Sequence, residues 1–422
     1  MRDHHLLTAA LLLSLLAALG LLTQSRATAA DQQRADPAQD WPTIITQLQE
    51  QLSRFPNHPQ LRQQLAIVYN NYAIQLADEG KLNDAIRQLE EATSLDTANA
   101  QLRQNLAMMH LQDAQDAYRT HRIPRARDAI GEALRIEPNT AQAYALLGEI
   151  DYNSQRLKEA KADWQKALEL KPDFAEVKER LKQVSQELPV ESEFERVSQA
   201  YFDVRFPDTL ERSTGFDLQE TLLAARRAVG ADFAYWPSRK LVVLVYSAEQ
   251  FRQLRQDAPE WAAGQYDGKI RVPLPNGELN PQAVTRILYH EYAHAIIHDL
   301  TDGRCPAWLN EGLAEYEAWK DVKPPWPILR HAVSGQRLIP WTQLFSAQFT
   351  AAMSTAEASL AYEQAHSIVR YLVERYSFWR IKRLLQAVKQ GSPSDQVLAS
   401  EFHLKLPRLE EYWKTWLRDT LF

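Results

Sequence analysis

After a polar stretch to Asp40, apolar residues recur at helical spacing, and they do so in repeating units. The segment Gln60 to Ala66 (QLRQQLA) returns as Gln101 to Ala107 (QLRQNLA), 41 residues on, and Pro56, Thr97 and Pro138 fall at the same interval. Pro138 to Pro172 is 34 residues, so the earlier units read as the later one lengthened by seven. Seven residues are about two helical turns, an insertion that preserves the packing face. Small residues stand where paired helices must approach closely: Ala85 and Ala92, Ala126 and Ala133, then Gly148, Ala160 and Ala167. Such a unit cannot bury its own apolar face, so residues 41–188 are expected to stack into a short all-α solenoid. Asp173 to Leu188, rich in Glu, Lys and Gln, reads as its polar capping helix.

The pattern changes at Pro189 to Glu193, read as a hinge into a second domain over 189–422. Ser198 to Phe206 and Lys240 to Tyr246 are β-rich runs, separated by an amphipathic segment from about Asp217 to Val229. Ser247 can cap a following helix, Ala248 to Gln256. Tyr266 to Leu274 reads as a strand whose proline near the end favours a sheet edge. Asn280 followed by Pro281 opens a helix with Val284, Ile287, Leu288, Ala295 and Ile296 at helical spacing, ending near Gly303. A second helix-like run, Trp308 to Tyr316, follows the breaker Pro306, and a third amphipathic helix covers Leu360 to Tyr376. Arg380 to Phe422 reads as helical core, so the expected class is an all-α repeat array followed by an α+β domain.

The chemistry lies in His290-Glu291-Tyr292-Ala293-His294. Residues four apart on a helix share a face, so both imidazoles can aim at one point, which is half a zinc site. Glu291, between them, projects beside the metal, where a base must sit to take a proton from a metal-activated water. Glu311, in the next helix, supplies a third protein ligand and leaves one zinc position open. The ordinary alternative is a pair of surface histidines with a salt-bridged glutamate.

HEYAH combined with WLNEGLAEY resembles the two metal-binding helices of the gluzincin metallopeptidases, most closely the peptidase MA-like family. The resemblance covers about residues 194–422, strongest over 287–316, and implies a zincin fold. It implies Zn2+ held by His290, His294 and Glu311, with Glu291 as general base. Glu315 competes with Glu311 for the metal, and the Asn-Glu-Gly context favours Glu311. Tyr362-Glu363-Gln364 resembles the Tyr-Glu-Lys segment of the related zinc aminopeptidases, where the tyrosine donates to the oxyanion, although Gln364 and Ala365 depart from the usual Lys-Gly. His366, one turn on, is the alternative donor. The strand before the metal helix is implied to bind extended substrate along the sheet edge. His298 reads as a surface or core residue and Cys305 as a free packed thiol, neither as a ligand. In the repeats, Tyr144, Leu147, Gly148, Ala160, Trp164, Ala167 and Pro172 resemble the tetratricopeptide consensus, which implies a groove for a peptide or protein; a packing spacer is the alternative.

Composition narrows the reading further. A chain of 422 residues exceeds what one core usually serves, and a net charge of −6 gives no basic excess for nucleic acid. One cysteine excludes a disulfide framework, and with 13 glycines and no phosphate-cradling motif nucleotide chemistry is not supported. Arg2, the apolar run Leu6 to Leu22 and the small residues Ala27 to Ala30 describe a secretory signal peptide over 1–30, with an uncleaved membrane anchor as the alternative. Either exports the rest to the periplasm, the cell envelope or beyond. The expected protein is therefore an exported zinc metallopeptidase whose repeats recruit substrate or partner. With no G-x-M-E-N-like segment, the amine-binding element of the related aminopeptidases, an endopeptidase is expected. The competing class is a non-catalytic repeat scaffold or envelope chaperone.

Overall fold

The computed structural model of the chain describes residues 40–254, 265–274, 280–346 and 353–422. The expected signal peptide therefore lies outside the described residues, among which no helix is long and apolar enough to cross a membrane. The chain divides after Leu188 into two compact units.

From residue 40 on, the described residues of the first unit are almost all helical. After α1 (Trp41–Arg54) come three helix pairs: α2 (Pro59–Asp78) with α3 (Leu82–Leu95), α4 (Ala100–Arg119) with α5 (Ile123–Ile136), and α6 (Ala141–Asn153) with α7 (Leu157–Leu170). The second helix of each pair has 14 residues, whereas the first has 20, 20 and 13. The seven extra residues of the longer repeats thus lie wholly in the first helix, as whole turns that extend one packing stripe. Ala85, Ala92, Ala126, Ala133, Ala160 and Ala167 are fully buried at the close approaches. At Gly148 a Cβ would stand 2.4 Å from Trp164 Nε1, so only glycine admits the indole, which donates to the Ala145 carbonyl at 3.2 Å.

The capping helix α8 runs Ala175–Glu191 and passes through Pro189, where a hinge was expected. A proline this close to a helix end removes one donor without undoing the turns before it. Its inner face is not merely polar. Arg180 meets the Glu149 carboxylate through two bonds of 2.8 and 3.1 Å, and Glu187 accepts from the Tyr152 hydroxyl at 2.7 Å, all four residues being part of the buried interior. A neighbouring knot joins Asp151 to Arg127 and Arg156 and hydrogen-bonds it to Asp163. Burial, then the Asp151 charge, pushes the Asp163 carboxyl up to about 7. Because the folded state holds this proton more tightly than the unfolded chain, its contribution is fully present below the ordinary aspartate range. It is lost as pH rises through about 7. Asp163→Asn keeps a hydrogen-bonding group without the ionisation. Thermal unfolding at pH 5 and pH 8 should show wild type losing ~2–4 °C more than this variant over the interval; parallel losses would refute the assignment.

The second unit is built on a five-stranded sheet in the order β1-β2-β3-β5-β4. Strands β1 (Glu195–Ser198) and β2 (Phe202–Phe206) form an antiparallel hairpin where one β-rich run was expected. After α9 (Arg212–Phe233) comes β3 (Leu241–Ser247), parallel to β2 and buried on both faces as far as Tyr246, as a central strand of apolar residues should be. The short α10 (Ala248–Leu254) leads towards β4 (Gln265–Tyr266) and β5 (Ile270–Leu274). The single edge strand expected over 266–274 is thus a tight hairpin, turned at Gly268 with φ 99°, a value that favours glycine. Strand β4 covers only Ile270 and Arg271, and no described strand lies outside Val272 to Leu274. On one face of the sheet Arg271 is fully buried between Glu191 and Asp267, 3.1 Å from each, which pins the start of the domain to β5. The other face receives the helices of the site: α11 (Pro281–Thr301), α12 (Ala307–Ala318), α13 (Pro327–Ser334), α14 (Trp341–Ser346) and α15 (Thr355–Tyr376), closed by α16 (Phe378–Lys389), α17 (Ser394–Phe402) and α18 (Leu406–Leu421).

Candidate metal centre

Local sequence explains why the site helices lie where they do. Asn280 Oδ1 accepts from the backbone N–H groups of Gln282 and Ala283 at 3.1 and 3.3 Å, and Pro281 starts α11 with its missing N–H at no cost. The helix stops where Asp302 and Gly303 turn left-handed, at φ 50° and 71°. Val284, Leu288, Tyr292 and Ile296 bury one face in the core, which leaves His290 and His294 on another. In α12, a Cβ on Gly312 would lie 2.7 Å from the Ala365 carbonyl oxygen, so this glycine lets the backbones of α12 and α15 nearly touch. A capping box between Ser354 and Glu357 starts α15 at Thr355, earlier than the expected Leu360, which places Tyr362 two turns inside the helix.

Three donor atoms converge in the space these helices enclose. His290 Nε2 and His294 Nε2 are 3.0 Å apart, and Glu311 Oε2 lies 3.6 Å from the first and 3.5 Å from the second. Four ligands around zinc at ordinary bond lengths stand about 3.3 Å from one another, so the triangle has the size of one tetrahedral face. Each outer nitrogen has an oxygen acceptor beside it, which suits the tautomer protonated there. His294 Nδ1 donates to Asn310 Oδ1 at 3.0 Å, and His290 Nδ1 to Glu315 Oε1 at 3.1 Å. A neutral ring donating from Nδ1 turns the Nε2 lone pair inward. Two lone pairs then face a carboxylate oxygen that is itself buried with no hydrogen-bond partner. Such a set repels itself unless a cation or proton sits among it, so the residues fit a bound metal ion.

The electrostatics agree in direction. Burial works against charge on both rings, yet the neighbouring carboxylates of Glu311 and Glu315 raise His290 well above the usual histidine range. The Glu311 charge likewise raises His294. Burial works to raise Glu311 too, but the closeness of the His294 and His290 imidazoles outweighs it and holds its carboxyl below the usual range. Glu291 behaves differently. It is buried, one oxygen has no partner, and burial raises its pKa, the direction a general base working near neutral pH requires. Candidate atoms of His290, Glu291 and His294 lie within 4.8 Å of one another, although Glu311 closes the tighter triangle with the two histidines.

Among the other expected residues, Tyr362 does reach this centre, where its hydroxyl donates to Glu311 and burial raises its pKa. Glu315 takes the outer nitrogen of His290 rather than joining the triangle. His298 packs against the Tyr266 ring, with centroids 5.6 Å apart, and Cys305 is a half-buried thiol whose pKa burial raises. Two residues were missed. Asn310 orients His294 as Glu315 orients His290, and its signal was its place directly before Glu311 in the quoted motif. Trp326, whose indole donates to His366 Nδ1 at 3.2 Å, carried no signal in its spacing.

Comparison with known proteins adds the family. Residues 245–419 match the model of the Peptidase MA superfamily. The chain carries a Peptidase MA superfamily domain. It follows tetratricopeptide-like helical repeats, of which residues 141–174, helices α6 and α7 with their connection, match the model of the tetratricopeptide repeat. No curated protein matches the chain. Among solved structures, the first tetratricopeptide domain of Spaghetti (RPAP3) bound to an HSP90 peptide is 26% identical, covering 30% of this chain and 95% of that one. Its TM-score of 0.23 is too low to argue from.

Proposed function

We propose that the chain is an exported zinc metallopeptidase, with zinc held by His290, His294 and Glu311. The observation that carries the reading is the inward triangle of two imidazole lone pairs and one partnerless carboxylate oxygen, with edges of 3.0, 3.5 and 3.6 Å. Zinc bound in such a set supplies Lewis acidity, polarising a carbonyl and bringing the pKa of water towards neutrality. Glu291 takes the proton of the attacking water and later returns it to the leaving amine. Tyr362 leaves Glu311 to donate to the oxyanion that develops on the scissile carbonyl, which a phenol can do without titrating near neutral pH. Asn310 and Glu315 hold the two imidazoles in the tautomer that binds metal.

Extended substrate lies along β5 beyond the short cover of β4, paired by backbone hydrogen bonds that tolerate many side chains. With no amine-binding element of the aminopeptidase kind in the sequence, the chain acts as an endopeptidase. The tetratricopeptide unit recruits the protein substrate or a partner, and the apolar run Leu6 to Leu22 exports the whole to the periplasm or cell envelope. Purified protein lacking residues 1–30 is expected to carry about one zinc per chain and to cleave members of a random peptide library. A chelator should stop cleavage and added zinc restore it. Protein with neither zinc nor cleavage would end the reading.

A further inference from the structure

Asp299 stands near the end of α11, five residues beyond His294, with its side chain 2% exposed. A carboxylate so buried needs a partner. Arg239, two residues before β3, supplies it, for its Nη2 donates to Asp299 Oδ1 at 2.7 Å. The same nitrogen has a second hydrogen, and it donates to the Tyr266 hydroxyl at 2.8 Å. Tyr266 is one of the two residues of β4. One guanidinium nitrogen therefore ties the helix of the two histidines to the outermost strand of the sheet. A second contact runs beside it, where the Tyr266 and His298 rings meet edge-on with centroids 5.6 Å apart. Tyr235, outside the hairpin, also donates to Asp299, reaching Oδ2 at 3.2 Å.

The tie matters because β4 has little else to hold it. It pairs with β5 at two positions only, Gln265 with Arg271 and Tyr266 with Ile270, and so short a ladder is marginal by itself. Side chains along a strand alternate between faces, so Tyr266 shares the helix face with Ile270 while Asp267 and Arg271 take the other. There Arg271 is held by Glu191 and Asp267, 3.1 Å from each. The hairpin is thus gripped on both faces, and on the helix face the grip comes from α11. Strand β5 itself is fixed on its inner side by five pairs with β3. What the tie fixes is the outer side, where the cover of β4 ends at Arg271 and no described strand lies outside Val272 to Leu274.

We propose that Asp299, Arg239 and Tyr266 are positioning residues. They form a buried tie that holds β4 in place, so that the outer edge of β5 is presented to extended substrate in a fixed relation to the metal centre. The proposal rests on the peptidase reading above, with β5 as the substrate strand, and adds what holds the edge of that strand.

Asp299→Ala would leave the Arg239 charge buried without its partner and endanger the fold, so the test deletes single hydroxyls instead. Tyr266→Phe removes the acceptor on β4, whereas Tyr235→Phe removes a bond to the same carboxylate from outside the hairpin. In hydrogen exchange of the purified protein, the amides of residues 265–271 should open about 2–10-fold more readily in Tyr266→Phe, the worth of one lost hydrogen bond. In Tyr235→Phe they should exchange as in wild type. Against an extended peptide that wild type cleaves, Tyr266→Phe should raise KM by about 2–10-fold and leave kcat and zinc content unchanged, because the hairpin must then be ordered on binding. Tyr235→Phe should leave KM and kcat unchanged. Equal effects of the two substitutions would mark a merely structural network and overturn the proposal. So would faster exchange with KM unchanged, or a fall in kcat alone, which would put the hydroxyl among the reacting groups. Failure of the proposal alone would show as a wild type that cleaves and a Tyr266→Phe variant that matches it in both measurements. Failure of the peptidase reading would show as wild type with neither zinc nor cleavage, and the substrate role of the tie would fall with it.

Discussion

Alanine at His290, His294 or Glu311 is expected to empty the centre, taking zinc from about one per chain to below about a tenth by metal analysis. Each substitution removes one corner of a triangle whose edges are 3.0, 3.5 and 3.6 Å, and two corners cannot hold zinc against a chelating buffer. The competing account is a protonated histidine pair neutralised by Glu311, and it predicts no bound metal in wild type at all. Glu315→Ala is the control, because Glu315 bonds the outer nitrogen of His290; zinc should weaken but remain. Stoichiometric zinc in all three ligand variants would sink the assignment. If Glu315→Ala alone abolished binding, the third ligand would have to be reassigned to it.

The elements around this centre were legible for reasons that can be named. A helix that carries two histidines four apart, opened by Asn280 and Pro281, states its own chemistry, since spacing and caps are local properties of the chain. The repeats were legible because an insertion of whole turns leaves the sequence period intact, and the structure puts all seven extra residues in the first helix of each longer unit. What was missed depends on distance along the chain. Trp326 and His366 are 40 residues apart, and nothing in either segment says that a strained backbone brings an indole to an imidazole. The hairpin at Gly268 was hidden because β4 contributes only two residues, too few to show a period. The early start of α15 was written in Ser354 and Glu357, a capping box that precedes the apolar stripe instead of overlapping it.

Glu291→Gln should leave zinc bound and cut turnover by about 10²–10⁴, the usual worth of general acid and base catalysis. The amide keeps the size of the carboxylate and much of its hydrogen bonding, but it cannot accept the proton of the attacking water. Burial makes the comparison clean. Glu291 is 2% exposed and one of its oxygens has no hydrogen-bond partner, so the substitution removes an ionisable group without costing that oxygen a bond. The fold and metal content should therefore match wild type, with kcat and kcat/KM falling together because the lost interaction belongs to the transition state. The same variant separates an enzyme from a scaffold. A repeat protein whose peptidase domain only binds unfolded or partner chains needs the domain's shape and its metal, not the base. Cells carrying Glu291→Gln should then behave as wild type, and that result would make binding, not hydrolysis, the function. Loss of the phenotype with zinc and fold retained would instead tie the biology to the proton that Glu291 carries.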